Sequence, residues 1–384
     1  QPVVRQAELI RGGCSEEVAA TINGRSLLNL STGIAHGFGC FLFPEGTSHD
    51  ESRMLRFKTG PMRTALSAAA LAKGTNKPIP TIIPIGLHWR VRHHWRTDAW
   101  VEYGDPINID ADQLGSEMAT KLSNGEWVEP PADAVNKLRN ELQSCLIPMT
   151  PNAPDWDTYR AWHLLGHLEG ASMGKRPTTW RQEVIAARVI RDRMEHSPDE
   201  HRLVKAIEAS SILEEHHLDG RAITDTGDIR RAHWSSLPST TLRITLGLLM
   251  LPIFIPTCGI QVFIGKFFGD RAIDDEGLDA RTTYQFLASM FGSMFFWPPI
   301  ALITSIVAIL NPGWPNFNLP SWVVLIFLTI IFLAIFALAA YLVVTAWDAF
   351  EDVKRAMRRS KLRQNTLGES VETICRDIIS STLK

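Results

Sequence analysis

Hydrophobic and polar positions are distributed unevenly along the chain. Residues Ile244 to Gly265, ITLGLLMLPIFIPTCGIQVFIG, carry no charged side chain, and a second uncharged stretch runs from Thr282 to Trp347. The second is too long for one crossing. It is broken by NPGWPNFNLP (Asn311 to Pro320), whose Pro, Gly and Asn content is turn chemistry. The two runs that remain, 286–310 and 322–346, are each roughly 25 residues, or about 37 Å as helix, enough to cross a bilayer core. Trp314, Trp322 and Trp347 stand near the run ends, where interfacial aromatics collect. The pattern therefore predicts a membrane region over 241–348. Within its first run, 244–265, Pro252 and Pro256 each remove a helix hydrogen bond, so that run reads as either a re-entrant element or a span.

The other segments have shorter periods. Residues 1–147 read as alternating strands and helices. AHGFGCFLFPEG is a strand entering a turn, and GPMRTALSAAALAKG is an Ala-rich helix with Gly74 as its expected cap. PIPTIIPIGLHWRV is an apolar strand interrupted by proline, DAWVEYGDPINI alternates and then turns, and DAVNKLRNELQSCL is an amphipathic helix. Strands separated by helices predict an α/β domain with a mixed, largely parallel sheet flanked by helices, whose ligand crevice lies at the strand ends. Residues 148–240 have apolar positions every three to four residues and predict a helical subdomain. The tail, 349–384, carries DVKRAMRRSKLR from Asp352 onward. The positive-inside rule places it in the cytoplasm. Three full crossings would put the first 235 residues on the opposite side, whereas a re-entrant first run keeps both soluble parts cytoplasmic.

Composition narrows the function classes. A formal net charge of −2 offers no global basic field for nucleic acid. The five scattered cysteines contain no CxxC pair, which favours reduced thiols over a disulfide framework or a zinc site. His163 and His167 share a helix face at a spacing zinc can use, but lack a convincing third ligand and read as a packing pair. The sequence opens at Gln1 without a leader, so an upstream segment is expected.

The stretch FLFPEGTSHDESRMLRFKTGPMRTALSAA resembles the FPEGT block of the glycerolipid acyltransferases, the glycerol-3-phosphate and lysophosphatidate acyltransferase superfamily. The commonest form has arginine after FPEGT. Here Ser48-His49-Asp50 follows, a form similar to the fungal-type glycerol-3-phosphate and dihydroxyacetone-phosphate acyltransferases. PVVR (Pro2 to Arg5), IPTIIPIGL and APDWDTYRAW resemble further blocks in the same order, so the resemblance covers residues 2 to 165. The superfamily's catalytic His-x4-Asp motif precedes the PVVR block. The HHWRTD stretch matches its spacing with His93 and Asp98, but follows FPEGT and is rejected on order.

The resemblance implies transfer of a fatty acyl group from acyl-CoA or acyl-carrier protein to the sn-1 hydroxyl of glycerol-3-phosphate, with no cofactor. Dihydroxyacetone phosphate and lysophosphatidate are the alternative acceptors. It implies an acceptor site at Arg5, Gly46, Thr47, Ser48 and Lys58, with Glu45 in support of a catalytic His and Asp that this sequence does not show. A hydroxyl is a poor nucleophile, so the chemistry needs a general base. Arg5 offers a fork for phosphate, Thr47 and Ser48 offer hydroxyls, and Gly46 allows close backbone approach. Each also has a plain reading: a turn carboxylate, a surface arginine, a solvated lysine, capping hydroxyls. His49 and Asp50 point to opposite faces of an extended chain and are not expected to act as a dyad. From another class, the chain could be a membrane scaffold with a degenerate acyltransferase domain.

Overall fold

The computed structural model describes residues 6–47, 49–232, 237–277, 280–311, 313 and 319–382. Arg5, Ser48 and Trp314 lie outside them. The chain forms two compact units, residues 1–88 with 99–159, and residues 89–98 with 160–384.

The first unit is mainly helical. After α1 (Gln6–Arg11), α2 spans Glu16–Ala35, with Ser15 Oγ accepting from Val18 N at 3.4 Å and Glu16 and Glu17 favouring the positive helix start. Sequence reading assigned no element to α2, whose Thr, Gly, Ser and Asn content lowers helix propensity. Its Ser31 Oγ donates to Thr64 O at 3.1 Å on α3 (Gly60–Gly74). α3 buries Met62, Leu66 and Ala68 to Ala72 in a core with Ile107, Leu114 and Leu138, the last from α5 (Ala132–Leu146). Gly74 is the last helical residue instead of the expected cap. A β-carbon there would stand 2.8 Å from Ala119 on α4 (Ser116–Ser123), so close helix packing requires glycine.

The strands are β1 (Thr81–Ile82), β2 (Ile85–Trp89), β3 (Ala99–Tyr103) and β4 (Ile107–Asn108), paired β1 with β4 and β2 with β3. The β1–β4 pair is antiparallel. The largely parallel sheet expected from sequence is therefore not formed among the described residues. A parallel pair needs a crossover of a dozen or more residues, and the link between the paired β2 and β3, residues 90–98, is too short for one. The expected strand at Phe41 to Phe43 is also absent: these residues have no ladder partner among the described residues, and Phe41 is 82% exposed. Without that strand, α3 is not the crossover of a βαβ unit. The β2–β3 pair turns His88 inward, where its ring stacks on Trp100 at 4.8 Å and Nε2 lies 3.0 Å from Glu102.

The second unit includes most of α6 (Trp156–Ser172), then α7 (Trp180–His196), α8 (Glu200–Glu215), α9 (Leu237–Glu276), α10 (Ala280–Leu310), α11 (Ser321–Arg363) and α12 (Thr366–Thr382). α9, α10 and α11 are long and apolar enough to cross a membrane. They turn large side chains such as Phe295, Val307, Phe327 and Ile330 outward, the inverse of a water-soluble bundle. Small residues mediate their packing: Gly292 lies against Gln261, and Gly265 against Ala288.

α9 is not straight. Thr282 Oγ1, at the start of α10, donates to Arg92 O at 3.2 Å, and Asp348 of α11 accepts two bonds from Arg96 at 2.8 Å. These contacts with one short loop fix Thr282 and Asp348 at the same end of the α10–α11 pair. Far from that end, Thr329 Oγ1 donates to Ser305 Oγ at 3.3 Å. Gly247 packs on Ala346 and Gly269 on Arg281, so both glycines lie toward the Thr282–Asp348 end. In a straight helix residues 247 and 269 would be about 33 Å apart along the axis. α9 therefore bends between them, where Pro252 and Pro256 lie.

Candidate functional site

The loop from Pro44 to Lys58 is held by its own carboxylate. Glu45 Oε1 accepts the Leu55 backbone N–H at 2.7 Å, and Glu45 Oε2 lies 2.8 Å from His49 Nε2. The Glu51 N–H donates to His49 Nδ1 at 3.2 Å. Lys58 N donates to Pro44 O at 2.7 Å, closing the base of the loop. Gly46 has φ +68°, a left-handed value, and a β-carbon there would stand 3.0 Å from Lys58 Cγ. Two further bonds anchor the far side of the loop: Ser52 Oγ donates to Ala153 O at 2.9 Å, and Trp156 Nε1 donates to Asp50 O at 2.8 Å. APDWDTYRAW, singled out in the sequence, thus begins as a buttress for the loop.

Four of the sequence-predicted residues, Glu45, Gly46, Thr47 and Lys58, come together in this loop. Thr47 and Lys58 are exposed, and Glu45 and Gly46 are half-buried. Arg5 and Ser48 lie outside the described residues. His49 is the residue whose part in the loop was not foreseen. Its four-residue spacing from Glu45 was visible, but the turn that brings the two side chains together was not.

A second ionic cluster is buried in the other unit. Arg90 grips Glu183 with two bonds of 2.6 Å and lies over the Trp180 ring at 4.5 Å, while His167 Nε2 approaches Glu183 at 3.2 Å. Burial disfavours the Glu183 charge, but the bonds from His167 and Arg90 outweigh it and hold the carboxyl down at about 2. Burial pushes His163, stacked on Trp180 at 5.1 Å, down to about 3. This is a paired structural network. Among the described residues, no group of three His, Cys, Asp or Glu side chains is placed to hold a metal.

Over 152 residues, 39% of its length, the chain is 34% identical to glycerol-3-phosphate O-acyltransferase 2 of Saccharomyces cerevisiae. Over 125 residues it is 32% identical to glycerol-3-phosphate O-acyltransferase 1 of the same yeast. Over about a third of its length the chain is similar to yeast glycerol-3-phosphate O-acyltransferases. A protein of Schizosaccharomyces pombe named only as an uncharacterized acyltransferase is 26% identical over 147 residues. The chain spans 19%, 15% and 20% of the lengths of these three relatives. No family model and no solved structure matches it.

Against the acyltransferase pattern, His93 and Asp98 do not form a dyad. Asp98 Oδ2 accepts from Arg90 Nε at 2.8 Å, and the His93 ring meets His94 edge-on at 4.7 Å. The two residues are bound into the second unit, whereas the FPEGT loop belongs to the first.

Proposed function

We propose that the chain is part of a membrane-bound acyltransferase that moves a fatty acyl group from acyl-CoA or acyl-carrier protein to the sn-1 hydroxyl of glycerol-3-phosphate. The observation that carries this reading is the 34% identity to a yeast glycerol-3-phosphate O-acyltransferase. The FPEGT loop described above supports it. Residues 1–147 are read as the acyltransferase domain, 148–240 as a helical subdomain, 241–348 as the membrane region and 349–384 as a basic tail.

In this reading the acceptor lies on the loop surface. Lys58 and Arg5 offer positive charge to its phosphate, and Thr47 and Ser48 offer hydroxyl groups. Gly46 lets the backbone come close. The acceptor hydroxyl attacks the thioester carbonyl, and its proton goes to a general base that the resemblance assigns to a His-x4-Asp pair. The thiolate leaves, and no covalent acyl-enzyme is needed. Glu45 acts in support by holding the loop.

The bend in α9 supports a re-entrant first element, with α10 and α11 as the crossing hairpin. With the basic residues after Trp347, this favours a cytoplasmic position for both soluble parts. The lipid product then leaves sideways into the bilayer, which avoids water exposure at about 0.8 kcal/mol per CH₂.

The test is transfer of labelled acyl groups by full-length protein in membranes. Glycerol-3-phosphate, dihydroxyacetone phosphate and lysophosphatidate are offered side by side. Transfer to glycerol-3-phosphate that falls at least tenfold in Glu45→Gln is the expected result. Absence of transfer to all three acceptors by folded, inserted protein overturns the reading in favour of a scaffold.

A further inference from the structure

The two bonds at His49 fix which of its nitrogens carries a proton. The Glu51 backbone N–H can only donate, so Nδ1 must accept, and an accepting Nδ1 is unprotonated. The ring proton is therefore on Nε2, which lies 2.8 Å from Glu45 Oε2 and donates to it. The other oxygen, Oε1, takes the Leu55 N–H at 2.7 Å. A backbone amide thus orients an imidazole, the imidazole orients a carboxylate, and the carboxylate ties residue 45 to residue 55. Gly46, Thr47 and Lys58 stand on the frame this chain of bonds creates. Lys58 N is bonded to Pro44 O, and its side chain lies against Gly46 Cα.

We propose that His49 is a positioning residue for the phosphorylated acceptor. It donates from Nε2 to Glu45 and so sets the shape of the Pro44–Lys58 loop that receives the phosphate and hydroxyls. The proposal rests on the acyltransferase reading of this loop. It gives Glu45 a different task from contacting substrate, because both carboxylate oxygens are committed to the frame. Asp50 gives the loop its backbone carbonyl, the acceptor for Trp156.

The test compares His49→Phe, His49→Gln, Glu45→Gln and the Glu45→Gln/His49→Phe double variant in full-length protein. Phenylalanine keeps the ring and loses the donor, whereas glutamine places an N–H close to the Nε2 position. Expected is a rise of about tenfold in the KM for glycerol-3-phosphate in His49→Phe, with the KM for acyl donor unchanged, and recovery to within about threefold in His49→Gln. The double variant should be no worse than the more damaged single, because the two residues act through one bond. A wild-type KM in His49→Phe, equal damage in Phe and Gln, or multiplicative effects in the double variant overturns the proposal. Amide exchange of residues 51–58 is followed in parallel, with the α3 core as the control for folding. If wild-type protein transfers no acyl group, the function reading fails and exchange alone decides. Faster exchange at Leu55 in His49→Phe than in His49→Gln supports the brace, and equal exchange overturns it.

Discussion

At the scale of single residues, the loop is governed by backbone geometry as much as by charge. Gly46→Ala must hold alanine at φ +68° and place its β-carbon 3.0 Å from Lys58 Cγ. The left-handed conformation alone costs about 1–2 kcal/mol. The expected result is a several-fold rise in acceptor KM together with a fall of a few degrees in melting temperature, read by steady-state kinetics and thermal unfolding. His163 gives a prediction of a different kind. Its folded value is about 3 against an ordinary 6.5, so below 6.5 the unfolded chain binds a proton that the folded chain refuses. Stability therefore falls as pH drops from 6.5 toward 3, by at most about 1.4 kcal/mol per pH unit. Glu183, held at about 2, adds to the loss in the same direction below its ordinary 4.5. His163→Phe keeps the stack on Trp180 and should flatten the dependence of melting temperature on pH between 6.5 and 5. Residue types in the loop were legible because FPEGT is a distinctive string. The Glu45–His49 bond was not, because neighbours alternate in direction only along an extended chain, and Gly46 turns this one back.

At the scale of elements, punctuation decided what could be read. α3, α5, the proline break between β1 and β2 and the turn between β3 and β4 all stand where Pro, Gly and amphipathic spacing put them. Phe41 to Phe43 misled, because three apolar residues satisfy a strand pattern but a strand exists only with a partner. α2 was missed because its Ser, Thr and Gly residues obscure a periodic apolar face that includes Leu27 and Leu28. The packing of α9 was also invisible, since glycines in an apolar run do not announce their neighbours. Gly247 sits against Ala346 with no room for a side chain. Gly247→Val overpacks that contact and should cost about 1–3 kcal/mol. Thermal unfolding in detergent measures it, with Val substituted at the outward-facing Leu249 as the control.

At the scale of the whole molecule, the membrane region was the most legible part, because absence of charge over long runs needs no tertiary information. Its topology needs an observation that sequence cannot supply. The proposed re-entrant α9 puts Cys40, which is exposed, and a cysteine introduced at exposed Leu367 on one side of the membrane. In sealed vesicles an impermeant maleimide should modify both or neither, according to vesicle orientation. Opposite accessibility would mean that α9 crosses completely. The likeness to a yeast acyltransferase rests on 152 residues, 39% of the chain.

The bend at Pro252 and Pro256 has a mechanical side as well. On the proposed topology, a helix that enters and leaves by one face takes up area in one leaflet and little in the other. Each copy then acts as a wedge, and the wedge is widest on the side that carries the soluble units. A membrane crowded with such wedges relaxes by curving so that this face becomes convex, and copies of the protein gather where the bilayer is already bent that way.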